Sequence, residues 1–148
     1  MVALTFDDGP GKYEDRILAA FQKYGGKGTF FFVGTQAEKY PSVVKRVAEA
    51  GHEVGNHSYK HENLPKLSQA GATQSLAKTT EILRKLSGQS VSLVRPPYGA
   101  TSASVKAALQ NQGQPSILWS IDTLDWKTRN SKSTINTVLQ HVKDGDVI

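Results

Sequence analysis

The 148-residue chain contains no cysteine. Disulfides, thiolate metal sites and a cysteine nucleophile are therefore excluded, while the redox compartment stays open. No stretch approaches the ~20 apolar residues that a membrane-spanning helix requires, so no membrane span is expected. No run of five Lys or Arg occurs either, although the net charge is +5. The cations are scattered (Lys23, Lys27, Lys39, Lys45, Arg46, Lys60, Lys66, Lys78, Arg84, Lys85) and do not interleave with aromatics. This pattern reads as a solvated basic surface, and nucleic acid is not expected as a partner. No G-x-G-x-x-G follows the first apolar run and no P-loop is present, which removes dinucleotide and NTPase readings. A G-x-S-x-G elbow is also missing, against a serine hydrolase. Without repeats, low-complexity tracts or linkers, residues 1–148 read as one domain, long enough to bury a core. No signal peptide is expected, because "MVALTF" passes straight into a strand pattern.

What is present alternates. Short β-rich runs at Val2–Phe6, Thr29–Val33, His52–Asn56, Ser92–Arg95, Ser116–Ile121 and Asp146–Ile148 are separated by segments of helical period. Helices are expected over Glu14–Tyr24, Pro41–Ala50, Ser68–Leu86, Ser102–Gln112 and Ser133–Lys143. Ile17, Leu18, Phe21 and Tyr24 form the apolar stripe of the first of these. Pro41 opens the second helix and Gly51 closes it. Strand-then-helix repetition implies parallel strands with right-handed crossovers. Near-continuous apolar runs such as "TFFFV" suit strands covered on both faces. An open doubly wound sheet and a (β/α) barrel both satisfy this pattern.

The unusual residues favour the barrel. Asp7 and Asp8 follow the first strand; Asn56, His57 and His61 the third; Arg95, Pro96, Pro97 and Tyr98 the fourth; Asp122, Asp125 and Trp126 the fifth. Every polar cluster thus falls at the C-terminal end of a strand, and in a barrel those ends share the face that carries the active site. Asp7 and Asp8 fit a turn before Gly9 and Pro10, or a pair in which one acid holds a metal while the other handles protons. His57 and His61, four apart in "HSYKH", fit a surface pair, or two ligands to one ion with a carboxylate as the third. Two prolines in "RPPYG" stiffen a loop behind a permanently charged guanidinium. Trp126 suits either a core or a sugar-facing wall.

Together, "TFDDGP", "HSYKH", "RPPYG" and "DTLDW", in this order and spacing, resemble the polysaccharide deacetylase family, the carbohydrate esterases with a NodB-homology domain. The resemblance runs from residue 5 onward and looks nearest to the peptidoglycan N-acetylglucosamine deacetylases of Gram-positive bacteria. It implies an α/β fold, a distorted (β/α) barrel of the NodB-homology type. It also implies a divalent metal, most simply Zn2+ with Co2+ or another ion possible, held by Asp8, His57 and His61. Asp7 would be the catalytic base and Arg95 its partner. Tyr98, next to Pro97, would offer a backbone N–H to the oxyanion. Trp126 would wall the pocket, and Asp125 would match the acid that partners a catalytic histidine. The implied substrate is an acetylated polysaccharide, peptidoglycan or chitin-like, and the implied location is the cell wall or outside the cell. Acetylxylan O-deacetylation and a non-catalytic, metal-holding carbohydrate-binding module are the alternatives.

The family's Leu-x-His motif, whose histidine protonates the leaving amine, has no match before Ile148. His141 falls in a helical pattern and His52 opens a strand, so neither replaces it. The chain is therefore expected to be a C-terminally truncated catalytic domain with exposed strand edges, completed by a C-terminal fragment of the same protein.

Overall fold

β1 (Leu4–Gly9), β2 (Gly28–Phe32) and β3 (Glu53–Asn56) lie side by side in the order β1-β2-β3, all parallel, in the computed structural model, which describes residues 1–148. Beyond β3 the pairing continues through isolated parallel bridges, Asn56 to Val94 and Val94 to Ser116. The Ser120 N–H donates to Val147 O at 2.9 Å, and Val147 in turn bridges Ala3 beside β1. The strand ring therefore closes. The expected open edges are not found, because residues 146–148 pair with both the 116–121 segment and the start of β1. Three of the six expected strands are reduced to single bridging residues, Val94, Ser116 and Val147, which is the physical content of "distorted" here. Parallel strands in a ring place all their C-terminal ends on one face.

The helices are α1 (Glu14–Tyr24), α2 (Gly34–Lys39), α3 (Pro41–Glu49), α4 (Gln69–Ser87), α5 (Ala103–Asn111), α6 (Asp125–Thr128) and α7 (Ser131–His141). Their ends follow from local chemistry. Ser68 Oγ accepts the Gly71 N–H to cap α4, and Gly88 closes it in the left-handed conformation. Ser102 and Asn130 cap α5 and α7 in the same way. Five helices stand where the periodicity places them; α2 and α6, of six and four residues, are too short to show one. Tyr24 departs from its expected place in the stripe, since it is 77% exposed while Phe21 is buried.

Side-chain alternation along the strands divides outside from inside. Phe6, Phe30 and Phe32 face outward, with Phe6 and Phe30 stacked at 5.0 Å, and pack with Phe21, Val43, Val44, Val47, Val54 and Leu83. A second cluster of Leu64, Leu76, Val94, Val105 and Leu109 seats α4 and α5. Phe31 faces inward instead, under the Arg95 guanidinium at 4.3 Å from the ring centre. Gly55 leaves it room, since a Cβ there would come within 2.4 Å of the Phe31 ring.

His52 is structural, as expected. It is buried against Phe21 and Phe30, and its Nδ1 accepts the Gly28 N–H at 3.1 Å. Burial, helped by the Lys27 charge, holds its imidazole below the usual range. The unfolded chain thus binds a proton that the folded one refuses. The His52 contribution to stability is complete above the ordinary value of 6.5 and declines as pH falls toward the depressed one. H52Q should therefore lose less stability than the wild type between pH 7.5 and 5.5 in urea unfolding; an unchanged pH dependence would contradict this role.

Candidate metal centre

Period-two alternation would send Asp7 and Asp8 to opposite sides of the sheet. The register of β1 against β2 shifts between Phe6 and Gly9, and Asp8 takes a left-handed backbone with φ 67°. This irregularity turns both carboxylates to the same face. The acids therefore sit within β1 itself, not after it, and the chain breaks its own alternation to gather them.

His57 follows β3 directly. Its Nδ1 lies 2.6 Å from Arg95 O, and a carbonyl can only accept, so Nδ1 carries the proton and Nε2 presents a lone pair. That Nε2 stands 3.3 Å from Asp8 Oδ1, and His61 Nε2 stands 3.1 Å from the same oxygen. The three ligand atoms all lie within 4.8 Å of one another. Acceptors converging in this way repel unless a cation lies between them, and two imidazoles with one carboxylate suit zinc or a similar divalent ion. The donor set fits such an ion. His57 and His61 come from a curled loop, with Ser58 and His61 left-handed at φ 65° and 56°. His57 is fully buried, which removes the surface-pair reading.

Arg95, 2% exposed, crosses the inside of the ring. Its Nη1 donates to Asp7 Oδ1 at 2.8 Å and to Thr5 Oγ1 at 2.7 Å, and its Nε donates to Ile117 O at 3.0 Å. The guanidinium stacks between Phe31 and, at 5.6 Å, Trp119. Asp7 Oδ1 is thereby fixed, while Oδ2 points toward His57 Nε2, 4.0 Å away. Tyr98 sits in a short 3₁₀ turn, Pro97–Gly99, with φ 62°, and its ring meets His61 edge-on at 4.7 Å. Pro97 is buried beneath it. Asp125 and Trp126 are not joined to this cluster: Asp125 Oδ1 accepts from Thr123 Oγ1, and Trp126 stands 68% exposed on α6.

Thr5, Glu62 and Ser75 were not singled out by the sequence. Thr5 could have been found, since it lies two residues before Asp7 and so shares its inward face. Glu62 and Ser75 gave no signal, because their contact spans thirteen residues between a loop and α4.

Removing Arg95 leaves the partly exposed Asp7 carboxylate and the Thr5 and Ile117 oxygens without their donor. R95M should therefore lower the unfolding free energy by about 1–3 kcal/mol. R95K should recover only part of that, since an ammonium cannot serve Asp7, Thr5 and Ile117 from one plane. Urea denaturation of both variants checks this, and a stable R95M would contradict it.

The polysaccharide deacetylase family model matches residues 1–117. A peptidoglycan-N-acetylglucosamine deacetylase of Bacillus cereus is 40% identical over 148 residues, covering 99% of this chain and 54% of that protein. The peptidoglycan-N-acetylmuramic acid deacetylase PdaC of Bacillus subtilis is 38% identical, covering 100% of this chain and 31% of that protein. Its solved structure superposes with a TM-score of 0.94 over 100% of this chain and 72% of that one. A CE4 family pseudoenzyme from Bacillus anthracis, 31% identical, superposes with a TM-score of 0.94 over 99% of this chain and 53% of that one. The chain thus spans about half of the first curated relative's length and a third of the second's. It belongs to the polysaccharide deacetylase family and has that family's α/β, NodB-type fold.

Proposed function

We propose that this domain hydrolyses the acetamide of N-acetylglucosamine residues in peptidoglycan or a chitin-like polymer, with a divalent metal, Zn2+ first, held by Asp8, His57 and His61. The observation that carries this reading is the Asp7 carboxylate, with Oδ1 pinned by Arg95 at 2.8 Å and Oδ2 turned toward the donor set. Similarity to the pseudoenzyme means that fold alone does not carry an activity; the carboxylate does.

A divalent ion held there would supply Lewis acidity, making bound water more acidic and polarising the carbonyl. The chain's own residues divide the rest of the work. Asp7 Oδ2 takes a proton from the water as its oxygen bonds to the acetamide carbon. Arg95 keeps that carboxylate oriented and favours its charged form. The Tyr98 N–H meets the developing oxyanion, a contribution of about 10²–10³ in rate. Trp126, exposed on α6, is assigned the role of a wall for the sugar, and Pro97 stiffens the turn that carries Tyr98. The C–N bond then breaks, the nitrogen takes a proton, and acetate and a free amine leave.

That last proton needs a donor. His52 lies under β2 and His141 is exposed on α7, where its Nδ1 faces Thr137 O. We place the acid histidine, and the partner of Asp125, on a further segment of the same protein outside residues 1–148, for which the longer relatives leave room. The cell wall or cell surface is the matching location. No helix is long and apolar enough to cross a membrane.

D7N should cut acetate release by the intact protein about 10²–10⁴-fold while Zn2+ affinity stays within a few-fold of wild type. Release from N-acetylated oligosaccharide together with none from acetylxylan is the expected substrate pattern. The reverse pattern would make the protein an O-deacetylase, and an active D7N would remove Asp7 as base.

A further inference from the structure

The loop that carries His57 and His61 follows an unfavourable course, since Ser58 and His61 both take left-handed backbone, which L side chains seldom adopt. Something must hold it. The Gly34 N–H donates to Ser58 O and the Thr35 N–H to Tyr59 O, each at 2.9 Å, which anchors the first half on α2. The second half is held differently. Ser75, buried on α4, accepts the Tyr59 N–H at 2.9 Å and donates to the Glu62 carboxylate, with both oxygens 3.1 Å away. Glu62 Oε2 also accepts the Lys60 N–H at 2.9 Å, and the Glu62 N–H donates to Ser58 Oγ at 3.1 Å. Glu62 follows His61 directly, yet it is not among the converging ligand atoms. Its oxygens are committed to the loop and to α4.

We infer that Glu62 and Ser75 form a clamp that sets the position of His61, so that Glu62 is a positioning residue for metal affinity and not a ligand. The inference rests on the metal reading of Asp8, His57 and His61. The carboxylate accepts from one hydroxyl, Ser75 Oγ–H, and one backbone donor, the Lys60 N–H, so an uncharged acceptor of the same shape does most of its work. Ser75 holds that carboxylate as well as the Tyr59 N–H, so the two residues support one loop and the losses of both add less than fully.

Zn2+ titration calorimetry of the purified protein tests this, with thermal unfolding of the metal-free protein as a folding control. Outer partners of metal ligands are typically worth 10–100-fold in affinity, and E62A should weaken Zn2+ binding by that factor. E62Q should recover to within a few-fold of wild type. S75A should weaken binding, and S75A/E62A should bind no more than a few-fold worse than the weaker single variant. E62A at wild-type affinity overturns the inference, as does E62Q as weak as E62A, which would assign the effect to charge. Should E62A fail to fold, E62Q and S75A decide: S75A at wild-type affinity overturns the clamp. A wild type that binds no Zn2+ overturns the metal reading, and the clamp with it; wild-type binding with unaffected variants overturns the clamp alone.

Discussion

A guanidinium inside a strand ring can persist only if each of its nitrogens finds an oxygen, because burying an unpaired charge costs several kcal/mol. Arg95 meets that constraint by reaching across the ring to Thr5 and Asp7 on β1, and sideways to the Ile117 and Leu118 carbonyls of the neighbouring 116–121 segment. Its own carbonyl faces His57 Nδ1 and so fixes the tautomer of a metal-ligand candidate. One residue thereby ties together the carboxylate that acts, the imidazole that presents its lone pair, and two walls of the barrel. Phe31 and Trp119 complete the enclosure from either side. The space for Phe31 depends in turn on the missing side chain at Gly55.

The adjacent charges of Asp7 and Asp8 make sense in the same frame. Side by side they repel, and in a regular strand they would point apart. The left-handed turn at Asp8 brings them to one face, where Arg95 neutralises the first and two imidazoles lie against the second. Four of the seven non-glycine residues with positive φ belong to this site: Asp8, Ser58, His61 and Tyr98. Each lies at the end of a strand or in the loop that follows, and the loop with Ser58 and His61 is held from outside by α2 and α4. Such conformations are seldom found except where the surrounding structure over-determines them.

Much of this was legible in the sequence, for identifiable reasons. The five longer helices form where their spacing places them, with Leu76, Thr79 and Leu83 of α4 buried along one face and Leu86 partly buried, because burial on one face is what periodicity reports. The polar clusters at strand ends could be placed on one face because parallel topology leaves them no other. The break in β1 was not legible, since hydrophobic pattern carries no trace of a register shift. The last three strands were overestimated, because β-rich composition reports a preference for extended backbone and not the number of ladder bonds formed. Tyr24 was assigned to an apolar stripe that in fact ends at Phe21, since an amphipathic ring satisfies the period and still faces water. The supports at Thr5, Ser75 and Glu62 depend on contacts between elements, which spacing within one element cannot reveal.

The central claim is that Asp8, His57 and His61 form a single divalent-metal centre beside an Arg95-anchored Asp7. Crystals soaked in Zn2+ and measured on both sides of the zinc absorption edge test it most directly. One anomalous peak within ligand distance of Asp8 Oδ1, His57 Nε2 and His61 Nε2, with Asp7 still bound to Arg95, is the expected result. No peak there, or a peak ligated by Asp7 in place of Asp8, would contradict the division of labour between the two acids.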